Sequence, residues 1–225
     1  LRRQRQMCIR DSLYGDQLTA GVDTACARAS FEAGKKMEAL GNYDQAVRLF
    51  QRALQGHFAD EKRAHMCGRS IGELYVRMGR YGDAVQAYEA LPRKALHSIE
   101  GLTGYVSALH RDRRYGQAER AGLQWLALAE ERGDAQQRVW SNHTLGLIYC
   151  ETGRVEEAIA HFDAVRHLAP GNRANLDIAR VLSSKGKTKE ALAHLDSVLL
   201  DTQDGALRDE AAALRRQVLA DANIG

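Results

Sequence analysis

The sequence has little proline and few aromatic residues, and it contains no long apolar run. Its 225 residues include 2 Pro and 4 Cys, and aromatic residues make up 6%. So few cysteines exclude a disulfide scaffold, and no stretch approaches the roughly 18 apolar residues of a membrane span. With 44% hydrophobic residues, the chain is also too apolar to be intrinsically disordered. These features indicate one or two globular domains, and the scarcity of proline favours helices.

Residues 1–12 do not resemble a native protein segment. They read LRRQRQMCIRDS, and from Arg2 to Ser12 they resemble the translation of a transposase adapter used in sequencing libraries. We therefore expect residues 1–12 to be a translated adapter rather than a natural basic arm. On this interpretation the native N-terminus is missing, so a signal peptide or an upstream domain stays open.

Without residues 1–12 the chain carries no net charge. The full chain has 32 basic and 29 acidic residues, a net charge of +3. Residues 1–12 hold four Arg and one Asp, which leaves 28 basic and 28 acidic residues in 13–225. A neutral chain lacks the long-range field that attracts polyphosphates or anionic lipids. We therefore expect a protein or peptide partner, no nucleic acid and no membrane span.

The sequence contains no convincing catalytic, cofactor or metal motif. Cys26, Cys67 and Cys150 are widely spaced, which favours small buried residues on helices over a disulfide or metal cluster. Residues 68–72 fit G-x-S-x-G, but a nucleophile elbow needs a strand before the serine, and the surrounding pattern is helical. The chain is therefore predicted to be no enzyme and to need no cofactor.

Internal repeats are the strongest signal in the chain. A small anchor residue recurs every 33 to 40 residues, at Ala46, Ala84, Ala118, Ala158 and Ala191. A glycine lies five residues before four of these anchors, at Gly41, Gly79, Gly153 and Gly186. A large residue lies four after the same anchors, at Phe50, Tyr88, Phe162 and Leu195. A period in this range is typical of helical repeat proteins.

The recurring columns predict paired antiparallel helices. Four of the five repeats have a large-small pair upstream of the turn, with Ala33 in the large position of the first, at Ala33-Gly34, Ile71-Gly72, Leu145-Gly146 and Ile178-Ala179. The small residue lets two backbones approach, and the aromatic fills the adjacent hole. The turn glycine ends the first helix in a left-handed conformation, and Pro92 and Pro170 stop second helices.

With these columns the chain resembles the tetratricopeptide repeat (TPR) family. The match is closest in the fourth repeat, through Leu145, Gly146, Tyr149, Gly153, Ala158, Phe162 and Pro170. The third repeat is degenerate, with Arg113 in place of the turn glycine and Trp125 filling the gap left by Gly122. The resemblance implies an all-α, right-handed superhelical solenoid of about five antiparallel helix pairs with a C-terminal capping helix.

The expected organisation follows from the extent of the repeats. We expect residues 13–26 to lead into the first repeat, 27–204 to form the TPR-like array and 205–225 to form the capping helix. The capping helix has one apolar stripe, made of Leu207, Ala211, Leu214 and Val218.

The resemblance places function on the concave face, where first helices line a groove for a partner peptide. The candidate groove residues are Arg28, Lys35, Arg69, Glu73, Arg77, Arg111, Trp140, His143, Arg173 and Arg180. Their basic surplus predicts an acidic segment or a terminal carboxylate as ligand, the alternative being ordinary solvated side chains. Trp140 is either a groove anchor or a core residue between repeats.

We therefore expect a non-catalytic scaffold or adaptor that binds a partner peptide in the groove. The alternative is the recognition or sensing arm of a larger enzyme or transcriptional regulator whose N-terminal domain is missing. A pentatricopeptide-like RNA reader fits poorly because the array is neutral. The compartment is open, with a cytoplasmic location favoured over secretion.

Overall fold

The computed structural model describes residues 24–56, 61–169 and 173–224, and every regular element in these ranges is a helix. The expected adapter at residues 1–12 and the expected helix stop at Pro170 lie outside the described residues. The chain divides into two compact units, Leu1–Asp112 (unit 1) and Arg113–Gly225 (unit 2).

The helices of each unit follow one another along the chain. Unit 1 contains α1 (residues 24–39), α2 (Tyr43–Gln55), α3 (Glu61–Arg77), α4 (Tyr81–Glu89), the short α5 (Arg93–Leu96) and α6 (Ile99–Arg111). Unit 2 contains α7 (Tyr115–Glu131), α8 (Ala135–Glu151), α9 (Val155–Leu168), α10 (Ala174–Ser184), α11 (Thr188–Asp201) and α12 (Gly205–Ile224). From α7 to α12 each helix packs against the next, and in unit 1 α3 packs against both α2 and α4.

Left-handed residues end the first helices, as the repeat pattern predicts. The four turn glycines have φ between 71° and 74°. At the first turn, the N–H of Asn42 donates to the carbonyl of Met37 over 2.9 Å, and the N–H of Gly41 donates to that of Glu38 over 3.0 Å. These bonds satisfy carbonyls at the helix end. In the third repeat Arg113 adopts φ 59°, so a non-glycine residue makes the same turn.

Close contact between a glycine and an aromatic ring joins the two helices of a repeat. A Cβ added at Gly146 of α8 would lie 2.6 Å from the ring of Phe162 on α9. The same relation joins Gly34 to Phe50 at 2.8 Å and Gly72 to Tyr88 at 2.5 Å. All five alanine anchors are fully buried. The predicted roles of the small and large columns are therefore confirmed.

Other sequence predictions have mixed outcomes. Trp125 is buried, and its Nε1–H donates to Oε1 of Gln137 over 3.0 Å. Residues 68–72 lie inside α3, so a helical turn and not a strand precedes Ser70, and the G-x-S-x-G match is not a nucleophile elbow. The expectation that the cysteines are small buried residues is wrong for Cys26, which is exposed on α1, whereas Cys67 is buried.

Two consecutive repeats of unit 2 contain the same polar pair. Nδ1 of His161 on α9 lies 2.8 Å from Oδ1 of Asn142 on α8. One repeat later, Nδ1 of His194 on α11 lies 3.1 Å from Oδ1 of Asn175 on α10. Burial lowers the pKa of both histidines, because the charged imidazolium loses hydration there. The neutral ring is thus the form that the helix pairs accommodate.

Replacing Gly146 with alanine should destabilise the protein by about 1–3 kcal/mol, since the new methyl group overlaps the rigid, buried ring of Phe162. Urea unfolding followed by circular dichroism measures the effect. Gly116→Ala is the matched control, because a Cβ there meets nothing within 4 Å. Equal midpoints for the two variants would contradict the proposed packing.

Protonation of His161 should destabilise the fold. Because its pKa is lowered in the folded state, the unfolded chain binds the proton more readily, and stability falls as pH drops below about 6.5. Unfolding midpoints measured between pH 8 and pH 5 should fall less in His161→Gln than in the parent. His167→Gln, an exposed position on the same helix, should retain the parent slope, and an unchanged slope in His161→Gln would argue against the assignment.

Candidate functional site

In unit 1 charged side chains from three first helices meet on one face. Nη1 of Arg77 on α3 lies 3.8 Å from Oε1 of Glu38 on α1, and Nη1 of Arg69 on α3 lies 3.8 Å from Oε2 of Glu100 on α6. Glu73 lies between the two arginines, one helical turn from each. We call these five residues the unit 1 charged face. Its ion pairs are long and partly exposed, so each contributes little to stability.

Two polar groups beneath this face have no partner among the described residues. Nε of Arg69 is buried without a hydrogen bond, and so is the hydroxyl of Tyr88, a residue that is only 1% exposed. Burial and the nearby carboxylate of Glu73 raise the pKa of Tyr88, while the charge of Arg69 opposes that rise. Tyr88 lies on α4, the second helix of its pair, and its ring therefore extends between the two helices to the unit 1 charged face.

The carboxylate of Glu73 is held in an unfavourable setting. Partial desolvation by its neighbours raises its pKa above the ordinary value, and the charge of Glu38 adds to this rise. The cations of Arg69 and Arg77 oppose the rise without cancelling it. Desolvation therefore outweighs the attraction of the two arginines for the carboxylate of Glu73.

The remaining predicted residues of unit 1 lie on α1 and at the end of α6. Arg28 and Lys35 are exposed on α1, seven residues apart, and Nζ of Lys35 lies 5.7 Å from the ring centroid of Phe31. Arg111, at the end of α6, has its guanidinium carbon 5.9 Å from the ring centroid of Tyr81. The aromatic contacts orient the long side chains while their charges stay in solvent.

In unit 2 three predicted residues surround one buried carboxylate. Asp177 on α10 is 7% exposed, and its Oδ2 lies 3.1 Å from Nε2 of His143 on α8. Arg173 and Arg180 approach the same carboxylate at 3.9 and 3.8 Å. Both arginines also bond to Glu210 on α12, Arg173 through Nη2 over 3.1 Å. We call these five residues the Asp177 cluster.

Pairing within the Asp177 cluster changes what its arginines offer to a ligand. The two guanidinium groups face two carboxylates, Asp177 and Glu210, so their charges are balanced inside the chain. Burial, reinforced by the charge of Asp177, also raises the pKa of the Cys150 thiol to about 11. That thiol is thus a poor nucleophile at neutral pH. The cluster links α8, α10 and α12.

Trp140 is 49% exposed on α8, so it does not have the full burial of a core residue. Sequence analysis missed Glu38, Asp177 and Glu210 as members of these sites. Asp177 carries a local signal, because it stands four residues after Arg173 and three before Arg180, the spacings at which helical side chains pair. Glu210 carries none, since it comes from a later helix.

Two classes of site are not seen in the described part of the chain. No group of three or more His, Cys, Asp or Glu there could hold a metal ion. None of the described helices is both long enough and apolar enough to cross a bilayer.

Glu73→Gln should stabilise the protein relative to the parent at neutral pH and not at acidic pH. Since the pKa of Glu73 is raised in the folded state, ionisation of Glu73 costs the parent stability as pH rises past about 4.5, and glutamine removes that cost. Thermal unfolding midpoints between pH 4 and pH 7.5 measure the difference. Glu32→Gln, exposed on α1, is the control, and a pH-independent difference for Glu73→Gln would refute the desolvation of Glu73.

Sequence models and solved structures identify the fold. Tetratricopeptide repeat models match residues 149–218 and 37–64. A search of curated proteins finds no match.

Three solved proteins are among those similar to this chain. MamA 41-end from Desulfovibrio magneticus RS-1 has a TM-score of 0.65 at 18% identity, covering 77% of this chain and 93% of that one. YrrB, described as a TPR protein with an unusual peptide-binding site, has a TM-score of 0.62 at 19% identity, covering 83% and 90%. TTC0263, a TPR protein from Thermus thermophilus, has a TM-score of 0.56 at 21% identity, covering 83% of this chain and 97% of that one. The chain therefore contains tetratricopeptide repeats and has the all-α fold of a TPR-like helical solenoid.

Proposed function

We propose that the chain is a non-catalytic protein-interaction scaffold that binds an acidic peptide segment on the unit 1 charged face. The observation that supports this proposal is the loose internal pairing of Arg69 and Arg77. Their ion pairs with Glu100 and Glu38 are 3.8 Å long, so the Nη groups that make them lie beyond hydrogen-bond distance of these carboxylates. A ligand carboxylate can therefore form shorter, charge-assisted bonds than the ones it displaces.

The charge balance around this face supports the same ligand. On the first helices α1, α3 and α6, the predicted cations outnumber the three carboxylates of the unit 1 charged face, with Arg28, Lys35, Arg69, Arg77 and Arg111 against Glu38, Glu73 and Glu100. This surplus favours an anionic partner, and the neutrality of residues 13–225 favours a protein over a nucleic acid.

The fold is consistent with this role. YrrB, with the same fold, is described as having a peptide-binding site, which indicates that a TPR-like surface can accept a peptide. Recognition of this kind serves a freestanding adaptor and the recognition arm of a larger protein equally. The proposal concerns the binding step that both would share.

Binding of a fluorescein-labelled oligoglutamate peptide, followed by fluorescence anisotropy, tests the proposal. Arg69→Gln combined with Arg77→Gln should weaken binding by roughly tenfold or more and flatten its salt dependence, because two charge-assisted contacts are lost. Glu100→Gln should strengthen binding, since Arg69 loses its internal competitor.

Two controls make the result specific. Arg173→Gln with Arg180→Gln removes two arginines that are already paired, so this variant should bind the peptide nearly as well as the parent. An oligoglutamine peptide should not bind. The proposal fails if the Arg69 and Arg77 double variant, still folded by circular dichroism, binds oligoglutamate with parent affinity.

A further inference from the structure

A cavity of about 620 Å³ lies in unit 1, lined by α2, α3 and α4. Its apolar lining includes Leu54, Ile71, Tyr75, Ala87 and Leu91. It uses a different side of α3 from the unit 1 charged face, because residues 68, 71 and 75 line it while 69, 73 and 77 do not. A cavity of this size and polarity is typical of a ligand site.

Comparison of two repeats explains why the cavity exists. Ile71-Gly72 of α3 corresponds to Leu145-Gly146 of α8, a shift of 74 positions. The same shift pairs Gly68 with Asn142, Tyr75 with Tyr149, Arg80 with Arg154, and Ala87 with His161. The two repeats thus share the tyrosine and the arginine and differ at the other two positions.

In unit 2 the shared tyrosine is in contact with two groups. The guanidinium carbon of Arg154 lies 4.4 Å from the ring centroid of Tyr149. The imidazole of His161 stacks on the same tyrosine, with centroids 5.2 Å apart and planes inclined by 20°. Oδ1 of Asn142 then lies 2.8 Å from Nδ1 of that imidazole. A flat ring with a bonded nitrogen thus fills the space beside Tyr149.

In unit 1 the arginine contact remains and the ring is missing. The guanidinium carbon of Arg80 lies 4.7 Å from the ring centroid of Tyr75. Ala87 replaces the histidine and Gly68 replaces the asparagine, so neither supplies a polar side chain to the space. Leu91 packs against Gly68, where an added Cβ would lie 2.5 Å from its Cδ2, so the place of the asparagine side chain is filled. Ala87 leaves the place of the imidazole open, and the cavity includes it.

We propose that this cavity binds a heteroaromatic side chain with a ring N–H, a tryptophan or a histidine, from a partner protein. Tyr75 offers the stacking surface, as Tyr149 does for His161. The carboxylate of Glu61 lines the cavity and can accept a hydrogen bond from a ring N–H, whereas that of Asp83 is already paired with Arg80. The amide oxygens of Gln51 and Gln86 add acceptors in the role of Asn142.

A polypeptide is the source of the ring in this proposal. The ring that fills the equivalent space in unit 2 is itself a side chain carried on a helix, α9. Docking an aromatic side chain into an apolar pocket is the usual form of an interface hot spot. This surface is separate from the unit 1 charged face, so the two proposals can fail independently.

Nuclear magnetic resonance titration with N-acetyl-tryptophan amide tests the proposal. The probe should shift the backbone amide signals of Gly68, Tyr75 and Ala87 in a saturable way. N-acetyl-leucine amide, which is apolar but not planar, should bind roughly threefold more weakly or worse. Ala87→Phe should abolish the response by filling the cavity, while the Arg69 and Arg77 double variant should leave it unchanged. No response at the cavity, or equal binding of the leucine probe, would overturn the proposal.

A variant that creates the same space in unit 2 provides a second test, which does not depend on whether Ala87→Phe folds. His161→Ala should open the same space beside Tyr149 and lower the unfolding midpoint. Added imidazole should then raise the midpoint of His161→Ala and leave the parent unchanged, because only the variant has the vacant space. Failure of imidazole to raise the midpoint of the variant would show that this pocket shape does not select a planar ring.

Discussion

Contact between an aromatic ring on one helix and a glycine on its partner is the interaction on which the rest of this fold depends. Phe50, Tyr88 and Phe162 each press against a glycine of the preceding helix, at distances that no Cβ could tolerate. The contact brings the helices of a pair close together and fixes their rotation about their own axes. That rotation decides which side chains of a first helix face solvent.

The charged face of unit 1 follows from this rotation. When Gly72 turns toward Tyr88, residues 69, 73 and 77 of α3 are carried to the exposed side, where α1 and α6 bring Glu38 and Glu100 to meet them. The same packing carries the hydroxyl of Tyr88 through to the underside of that face, beside Arg69 and Glu73. Core and candidate binding surface are thus coupled through one residue.

Repeats with the same core contacts differ in the partners of their charged and polar side chains. In unit 2 the arginines are bonded to Glu210 and lie 3.8 and 3.9 Å from Asp177, so the Asp177 cluster joins helices. In unit 1 the arginines make only pairs of 3.8 Å. Likewise His161 fills a space beside Tyr149 that Ala87 leaves open beside Tyr75. Repeats with one core thus differ in how their polar side chains are paired.

The helical repeats could be predicted from the sequence because their causes are local. A turn glycine, an alanine anchor and a small residue opposite an aromatic recur at fixed spacing, and each acts within one helix pair. Even the degenerate third repeat could be read in this way, since Arg113 keeps the left-handed turn and Trp125 is buried. The expected groove residues were carried over from the family resemblance by their register on the first helices.

Tertiary structure decided which of those residues are available. Both Arg69 and Arg173 were predicted from the sequence to be groove residues. In the structure, Arg69 lies 3.8 Å from Glu100, whereas Arg173 bonds over 3.1 Å to Glu210, 37 residues later in the chain. Such partners depend on how successive helices pack, and no spacing within a repeat reveals them. The cavity beside Tyr75 could not be predicted for the same reason, because its shape depends on how residues of several helices pack against one another. The sequence alone therefore determined the repeat fold, and the packing between helices decided where that fold can bind a ligand.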